Sequence, residues 1–331
     1  MNIIITCGDC NGIGPEIAIK ALQRVSISKS RNNYNLIIPK NVFNYYYNYL
    51  NCNFPFISEK KYSNTLVPIP SKVNEIGIRI TFITNTKMKI SKPSVSSGYT
   101  SLEALSAAKD ILFSDPNSVL VTAPISKEAI SLAGSTFSGH TEMIASWFKQ
   151  QNFMMMFVSR IMKGGLLTIH EALRDVPKLL TAKMIKSKLS LIHSSLKHDF
   201  NMSNPKIALL GINPHSGENG IIGSEETKLF LPHIDGINYF GPFSADGFFA
   251  AKSYTKYDFT LSSYHDQLLI PFKMLAWKDG VNYTAGLPVV RTSPDHGTAY
   301  NIAGNGTADC SSLIAAIKLA QQIQMNRKHK I

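Results

Sequence analysis

"ITCGDCNGIGPEIAIKAL", residues Ile5 to Leu22, decides how the chain is read. An apolar opening, Asn2 to Thr6, runs into a glycine turn, and helical spacing follows from about Pro15 to Val25. Proline suits a first helical position, where its missing N–H costs nothing, and Glu16 beside it complements the positive end of the helix dipole. Two other readings compete. Cys7 and Cys10 form a Cys-x-x-Cys pair, and Gly8, Gly12 and Gly14 suggest a loop around a dinucleotide. The spacing argues against both. GxxxGxG is not the GxGxxG of the dinucleotide fingerprint. No second Cys-x-x-Cys completes a zinc site, and a thioredoxin-like pair belongs at the start of a helix in a much smaller domain. The stretch therefore reads as a strand–turn–helix corner with Cys7 and Cys10 as small packing residues.

The same alternation continues down the chain. Ser101–Phe113 has helical spacing, Ser118–Thr122 is β-branched and strand-like, and Gly139–Gln150 is helical after a Ser-Gly-His-Thr turn. Phe153–Ser159 and Leu166–Ile169 read as strands, Pro177–Leu196 as a long helix, Lys206–Ile212 as a strand and Ser224–Leu231 as a helix. Phe259–Ser263 is a further strand, and Cys310–Ile323 a closing helix. Strands alternating with helices predict an α/β protein built on parallel sheet. No repeat or low-complexity linker marks a domain boundary, and Asn41–Thr65, rich in Tyr, Asn and Lys, reads as a surface excursion.

With 331 residues, 44% hydrophobic and 17% charged, the chain can bury a sizeable core. Its 34 basic against 22 acidic side chains give +12, but the lysines are scattered. Only the tail Arg327, Lys328, His329, Lys330 is dense, which suits a frayed end better than a nucleic-acid arm. No uncharged run approaches the roughly 20 residues needed to span a bilayer. The first residues lack the basic segment of a secretory signal, and four cysteines are too few for a disulfide framework, so a cytoplasmic protein is expected.

Chemistry concentrates around histidines. Of nine, three follow apolar strand-like runs: His170 in "LLTIHEALRD", His215 in "LLGINPHSGENG" and His265 in "LSSYHDQ". Open α/β sheets place their ligand crevices at such strand ends. Three imidazoles held there could bind one divalent metal with positions left open for substrate; a single histidine after a strand is more often just hydrogen-bonded there. A second group suits anions. "SGHTE" puts His140 and Thr141 at a helix N-terminus. Lys273, Asn282 and Arg291 add an ammonium, an amide and a guanidinium. Arg291 directly follows the apolar run Leu287–Val290, a place where a guanidinium is usually paired.

The segments "GDCNGIGPEI", "VTAPISKEAI", "FSGHTEMIA", "GINPHSGENGIIGSEE", "GPFSADGFF", "YHDQLLIPFK" and "GVNYTAGLPVVRTSPDHGTAYNIAGNGTAD" together resemble the 4-hydroxythreonine-4-phosphate dehydrogenase family of vitamin B6 biosynthesis. The likeness runs in order from the first strand to the last helix. It implies a fold similar to isocitrate and isopropylmalate dehydrogenases: one α/β domain from 1–125 plus 300–331, a second from 126–299, an active site in a cleft between them, and a homodimer completing it.

By the same resemblance a divalent metal (Zn, Mg or Co) would be held by His170, His215 and His265, the last being His265 of the partner subunit. Substrate-binding positions fall on His140, Thr141, Lys273, Asn282 and Arg291. The family uses NAD or NADP, and the corner near Ile13 with His296, Gly297, Thr298 and Asn301 in "DHGTAYNIAG" would contact it. The implied reaction oxidises 4-phosphooxy-L-threonine to a 3-oxo acid that loses CO₂, with Asp246 and Asp266 as candidates for orientation or proton transfer. Two other readings stay open: a dehydrogenase of threonate or erythronate phosphate, and a metal-dependent hydrolase or acyl-phosphate transferase. Cys10-Asn11, Ala172 and Gly247 depart from the family's usual Pro-Ala, Pro and Thr; none removes a ligand.

Overall fold

The computed structural model describes residues 1–27, 32–60, 77–137, 139–233 and 238–328. The chain divides into two compact units, Met1–Lys149 with Pro288–Gln324, and Gln150–Leu287 with Met325–Ile331. Both interleave strands and helices, so the fold class is α/β. The division falls later along the chain than 125 and earlier than 300, which places His140, Thr141 and Arg291 in the first unit.

Numbering elements along the chain, the first unit carries β1 (Asn2–Thr6), α1 (Gly14–Ile27), β2 (Asn33–Pro39), α2 (Lys40–Tyr49), β3 (Ile57–Lys60) and β4 (Ile78–Ile83). It continues with α3 (Val95–Ser114), β5 (Val119–Thr122), α4 (Lys127–Leu132) and α5 (His140–Trp147). Its strands lie in the order β3-β4-β2-β1-β5, with the later β12 (Arg291–Pro294) beside β5, and all these pairs are parallel. Continuous apolar runs explain this. Ile3, Ile4 and Ile5 in β1, Leu36, Ile37 and Ile38 in β2 and Val119, Leu120 and Val121 in β5 are fully buried, as strands covered on both faces require.

The second unit holds β6 (Met154–Val158), β7 (Lys163–Leu166), α6 (Val176–Leu179), α7 (Ala182–His198), β8 (Ile207–Leu210) and β9 (Tyr239–Phe243). It also holds α8 (Ala245–Ala250), β10 (Phe259–Ser262), α9 (His265–Ala276) and β11 (Val281–Ala285). Strand order is β11-β6-β7-β10-β8-β9. Phe157, Leu166, Ala208, Leu210, Leu268 and Phe272 anchor the core between these strands and the helices α8 and α9. The closing helix α10 (Ser311–Lys328) is rooted in the first unit, where Thr292 donates to the carbonyl of Ala316.

Several expectations need correction. The strands of the second unit are not all parallel: β6 runs antiparallel to β7 and β11. Its run Met154–Val158 is wholly buried, and an apolar run reads alike in either direction. Asn41 to Thr65 is no mere excursion. Its α2 buries Val42, Phe43 and Tyr46, and the Phe43 ring packs on Phe56 and Phe82 at centroid separations of 5.0 and 5.7 Å. Residues 61–65 of that stretch, like His329 and Lys330, lie outside the described residues.

The predicted helix Pro177–Leu196 is broken at Leu180 and Thr181. Leu180 is extended and buried, and the Thr181 hydroxyl accepts from the Met184 N–H to start α7 afresh. The strand placed at Leu166–Ile169 sits earlier, at Lys163–Leu166, because Gly164 and Gly165 belong to the ladder. Ser224–Leu231 forms a π turn, Glu226–Phe230, followed by a 3₁₀ turn. Among the described residues no helix is long and apolar enough to cross a membrane.

Candidate active site

In the second unit β7, β10 and β8 are adjacent and mutually parallel, so their C-terminal ends open on one side. His170, His265 and His215 follow those three ends. Glycine sets the spacing. A Cβ on Gly164 would stand 2.7 Å from Leu268 Cδ1, so its absence lets α9 press onto β7 and brings the first residue of α9, His265, beside the chain leaving β7. The rings of His170 and His265 lie 5.7 Å apart, centroid to centroid.

The loops are stitched together. Leu167 and Thr168 extend the β7 ladder through N–H bonds to the carbonyls of Ser262 and Ser263. The Thr168 hydroxyl donates to the Ser263 carbonyl at 2.7 Å. Gln267 accepts from the Ser263 N–H and donates to the Gly211 carbonyl, joining the end of β10 to that of β8.

His215 stands in a costly conformation. His215, Ser216, Gly217, Glu218 and Asn219 all have φ between 45° and 79°, an unbroken left-handed run. Each non-glycine residue there costs about 1–2 kcal/mol. The loop is held by Glu226, which is buried and accepts from the Asn213 N–H at 2.8 Å and from Asn213 Nδ2 at 3.0 Å. Ser216 adds a bond to the Pro242 carbonyl. The strain is spread over His215–Asn219 and braced by a buried carboxylate, the kind of backbone that persists only where its surroundings over-determine it.

His265 pairs with an aspartate, and a second aspartate lies near enough to His215 to sense its charge. His265 Nδ1 is 2.6 Å from Asp266 Oδ1, which leaves Nε2 as the ring nitrogen not engaged by that carboxylate. Asp246, at the start of α8, is held below the usual carboxylate range by the Ser244 hydroxyl, then by the Gly247 N–H, with the charge of His215 also contributing. Both aspartates are exposed. Among the described residues no three His, Cys, Asp or Glu side chains converge as a finished metal cluster.

The first unit assembles the anion group. Arg291 opens β12, is 3% exposed, and donates through Nη2 to Thr122 at 2.8 Å and through Nη1 to Thr141 at 3.5 Å. Burial lowers its pKa to about 10, against the pull of Glu142, and the guanidinium stays charged. His140, the first residue of α5, is pushed well below the ordinary histidine value by burial and then by Arg291. Its Nε2 is buried without a hydrogen-bond partner. His140, Thr141 and Arg291 are thus brought together. Lys273 in α9 and Asn282 in β11 belong to the second unit, and Asn282 Oδ1 is likewise buried without a partner.

The corner that opens the chain touches the 296–301 segment directly. Ile13 N–H donates to the Thr298 carbonyl at 2.9 Å, and a Cβ on Gly12 would sit 2.7 Å from that same oxygen. Gly297 and Asn301 are exposed, and His296 Nδ1 is 3.2 Å from the Gly297 carbonyl. Cys7 and Cys10 are buried, and burial pushes both thiols up, Cys10 to about 12, so neither is a thiolate at neutral pH. Sequence reasoning missed Glu226, Gln267, Asp9 and Tyr300. Only Asp9 carried a signal, as a lone acidic residue inside a glycine corner.

Residues 31–320 match the family model described as pyridoxal phosphate biosynthetic protein PdxA. A 4-hydroxythreonine-4-phosphate dehydrogenase of Prosthecochloris aestuarii is 38% identical, with 97% of each chain covered. Among solved structures, the 4-hydroxythreonine-4-phosphate dehydrogenase of Klebsiella pneumoniae superposes with a TM-score of 0.79 at 29% identity, covering 97% of this chain and 99% of that one. The enzyme of the same name from Burkholderia phymatum gives a TM-score of 0.73 at 28% identity, with 98% of each covered. By the extent of the family match and of these full-length likenesses, the chain belongs to the PdxA family of pyridoxal phosphate biosynthetic proteins.

Proposed function

We propose that the chain oxidises 4-phosphooxy-L-threonine with NAD or NADP to 2-amino-3-oxo-4-phosphooxybutanoate, which decarboxylates to 3-amino-2-oxopropyl phosphate for pyridoxine 5'-phosphate synthesis. The observation that carries this reading is the set of three histidines at the ends of three neighbouring parallel strands. The two α/β units are read as isocitrate/isopropylmalate dehydrogenase-like domains.

The donor set fits a divalent metal. His170, His215 and His265 would hold it, and imidazoles suit zinc or cobalt better than magnesium, which prefers oxygen ligands. A divalent ion held there would supply Lewis-acid polarisation of the substrate's secondary alcohol, and a nicotinamide cofactor would supply the hydride acceptor. Asp266 fixes the tautomer and ring of His265, and Asp246, a carboxylate at neutral pH, does the same for His215 or accepts the hydroxyl proton.

Arg291, with Thr141 and the N-terminal turn of α5, binds the phosphate dianion, and His140 stays neutral beside it as a hydrogen-bond partner. Lys273 and Asn282 grip the remaining polar groups of the substrate. Ile13, His296, Gly297, Thr298 and Asn301 contact the cofactor.

A homodimer is read as completing the site, the partner subunit's His265 joining His170 and His215 of this chain; the 5.7 Å between His170 and His265 of one chain then describes where the strand ends lie, not two ligands of one ion. Support comes from α9, the helix that begins at His265. Ile270 and Met274 within it and Trp277, the residue just past its end, recur at helical spacing and are 57%, 81% and 73% exposed. An apolar stripe of that kind marks an association surface.

The experiment is a side-by-side assay with 4-phosphooxy-L-threonine and with the 4-phosphates of threonate and erythronate. Higher kcat/KM for the amino acid supports the reading, and preference for a sugar-acid phosphate overturns its substrate assignment.

A further inference from the structure

One buried polar circuit in the first unit takes no part in the chemistry assigned above. Asp9 is fully buried between β1 and α1. Its Oδ1 accepts from the Asn11 N–H at 2.8 Å, and its Oδ2 accepts from the Ser97 and Tyr300 hydroxyls, each at 3.0 Å. Burial pushes its pKa up, and these donors pull it back. Ser97 also closes the capping box of α3 with Ser94. Asn11, equally buried, donates through Nδ2 to the Lys92 carbonyl and the Ser94 hydroxyl, each at 2.9 Å, and accepts the Lys89 N–H at 2.8 Å. Its backbone carbonyl takes the Ser91 N–H.

The circuit reaches the 296–304 loop by two routes. Tyr300 hangs from Asp9 directly. The 89–92 segment, pinned by Asn11, also abuts the loop's end: a Cβ on Gly304 (φ +80°) would lie 2.9 Å from Ile90 Cγ2. The buried side-chain groups of the circuit face named partners, so its members cannot shift singly without stranding one of them.

We propose that Asp9 and Asn11 are positioning residues for the nicotinamide cofactor, fixing the 296–301 loop against the Ile13 corner through Tyr300 and through the 89–94 segment. This rests on the reading that residues 296–301 contact the cofactor. Neither residue has to touch it: they select the loop conformation that binds, and loosening them lowers the population of that conformation and so the apparent affinity.

Full-length Tyr300→Phe, Asn11→Ala and Asn301→Ala test this. NADH affinity is read by fluorescence titration, KM and kcat by steady-state assay, and hydrogen exchange of 87–94 and 295–304 by mass spectrometry on the ligand-free protein. Tyr300→Phe removes one hydroxyl and serves if Asn11→Ala does not fold. Both are expected to raise KM for NAD and Kd for NADH about tenfold, with KM for the phosphorylated substrate unchanged, and to speed exchange in the two segments by a similar factor. Unchanged exchange and unchanged NADH affinity overturn the proposal. NADH binding weakened by Asn301→Ala, but by neither of the other two, also overturns it and leaves the cofactor reading standing. Faster exchange with NADH affinity untouched in all three variants overturns both.

Discussion

The imidazoles of His170 and His265 stand 5.7 Å apart at the ends of strands β7 and β10, which are neighbours in the sheet although remote in sequence. The pairing follows from Gly164, whose bare backbone admits Leu268 and so seats α9 on β7. Replacing either ring should remove a metal ligand. His170→Ala and His215→Ala are each expected to lower metal-dependent turnover by about 100-fold or more, since Lewis-acid stabilisation is worth several kcal/mol. Circular dichroism should show the fold retained. Turnover equal to wild type in either variant removes that histidine from the metal site.

The left-handed run at His215 should depend on Glu226. Both carboxylate oxygens accept from Asn213, so Glu226→Gln turns an NH₂ group toward a donor. A loss of about 1–3 kcal/mol in urea unfolding is expected, the cost of one unsatisfied buried group, together with weaker metal binding by calorimetry. Equal stability and equal metal affinity would show that the loop holds itself.

Arg291 is buried against Thr122 and Thr141 and should anchor the phosphate. Arg291→Lys keeps a charge but loses the fork geometry. KM for the phosphorylated substrate should rise about 10- to 100-fold with a smaller change in kcat, as expected when ground-state and transition-state binding are lost together. A KM that does not move makes Arg291 structural.

His140 gives a pH signature. Burial and the neighbouring Arg291 hold its pKa below the unfolded value, so the unfolded chain binds the extra proton and stability rises with pH across the region near 6.5. One such group contributes a slope of at most about 1.4 kcal/mol per pH unit below that point. The drop in Tm between pH 7 and pH 5 should be smaller in His140→Asn than in wild type, and an identical drop would show that His140 titrates normally.

The exposed stripe on α9 predicts a dimer. Met274→Asp with Trp277→Asp should convert a dimer to a monomer by light scattering and abolish turnover, while leaving secondary structure intact. A fully active monomeric variant would separate His265 from any partner-supplied role.

Sequence carried the strand–turn–helix corner well because its parts are local: an apolar run, glycines, then Pro15 and Glu16. The three strand-end histidines were legible for the same reason, each being a polar interruption after a buried run. Strand direction was not. Met154–Val158 looks the same parallel or antiparallel, and only its pairing with Lys163–Leu166 and Val281–Ala285 shows the direction. Helix α2 was hidden by a run of Tyr and Asn, which have weak helix propensity and fold because Val42, Phe43 and Tyr46 find a core. The bond from Tyr300 to Asp9 spans 291 positions, and no local pattern announces it.

The most direct test of the central claim is NADH formation from NAD and 4-phosphooxy-L-threonine, followed by absorbance with and without a chelator. The account predicts NADH that appears with the substrate, disappears with the chelator and returns on adding a divalent cation. Absence of NADH from metal-replete enzyme, or a rate indifferent to the chelator, would contradict it.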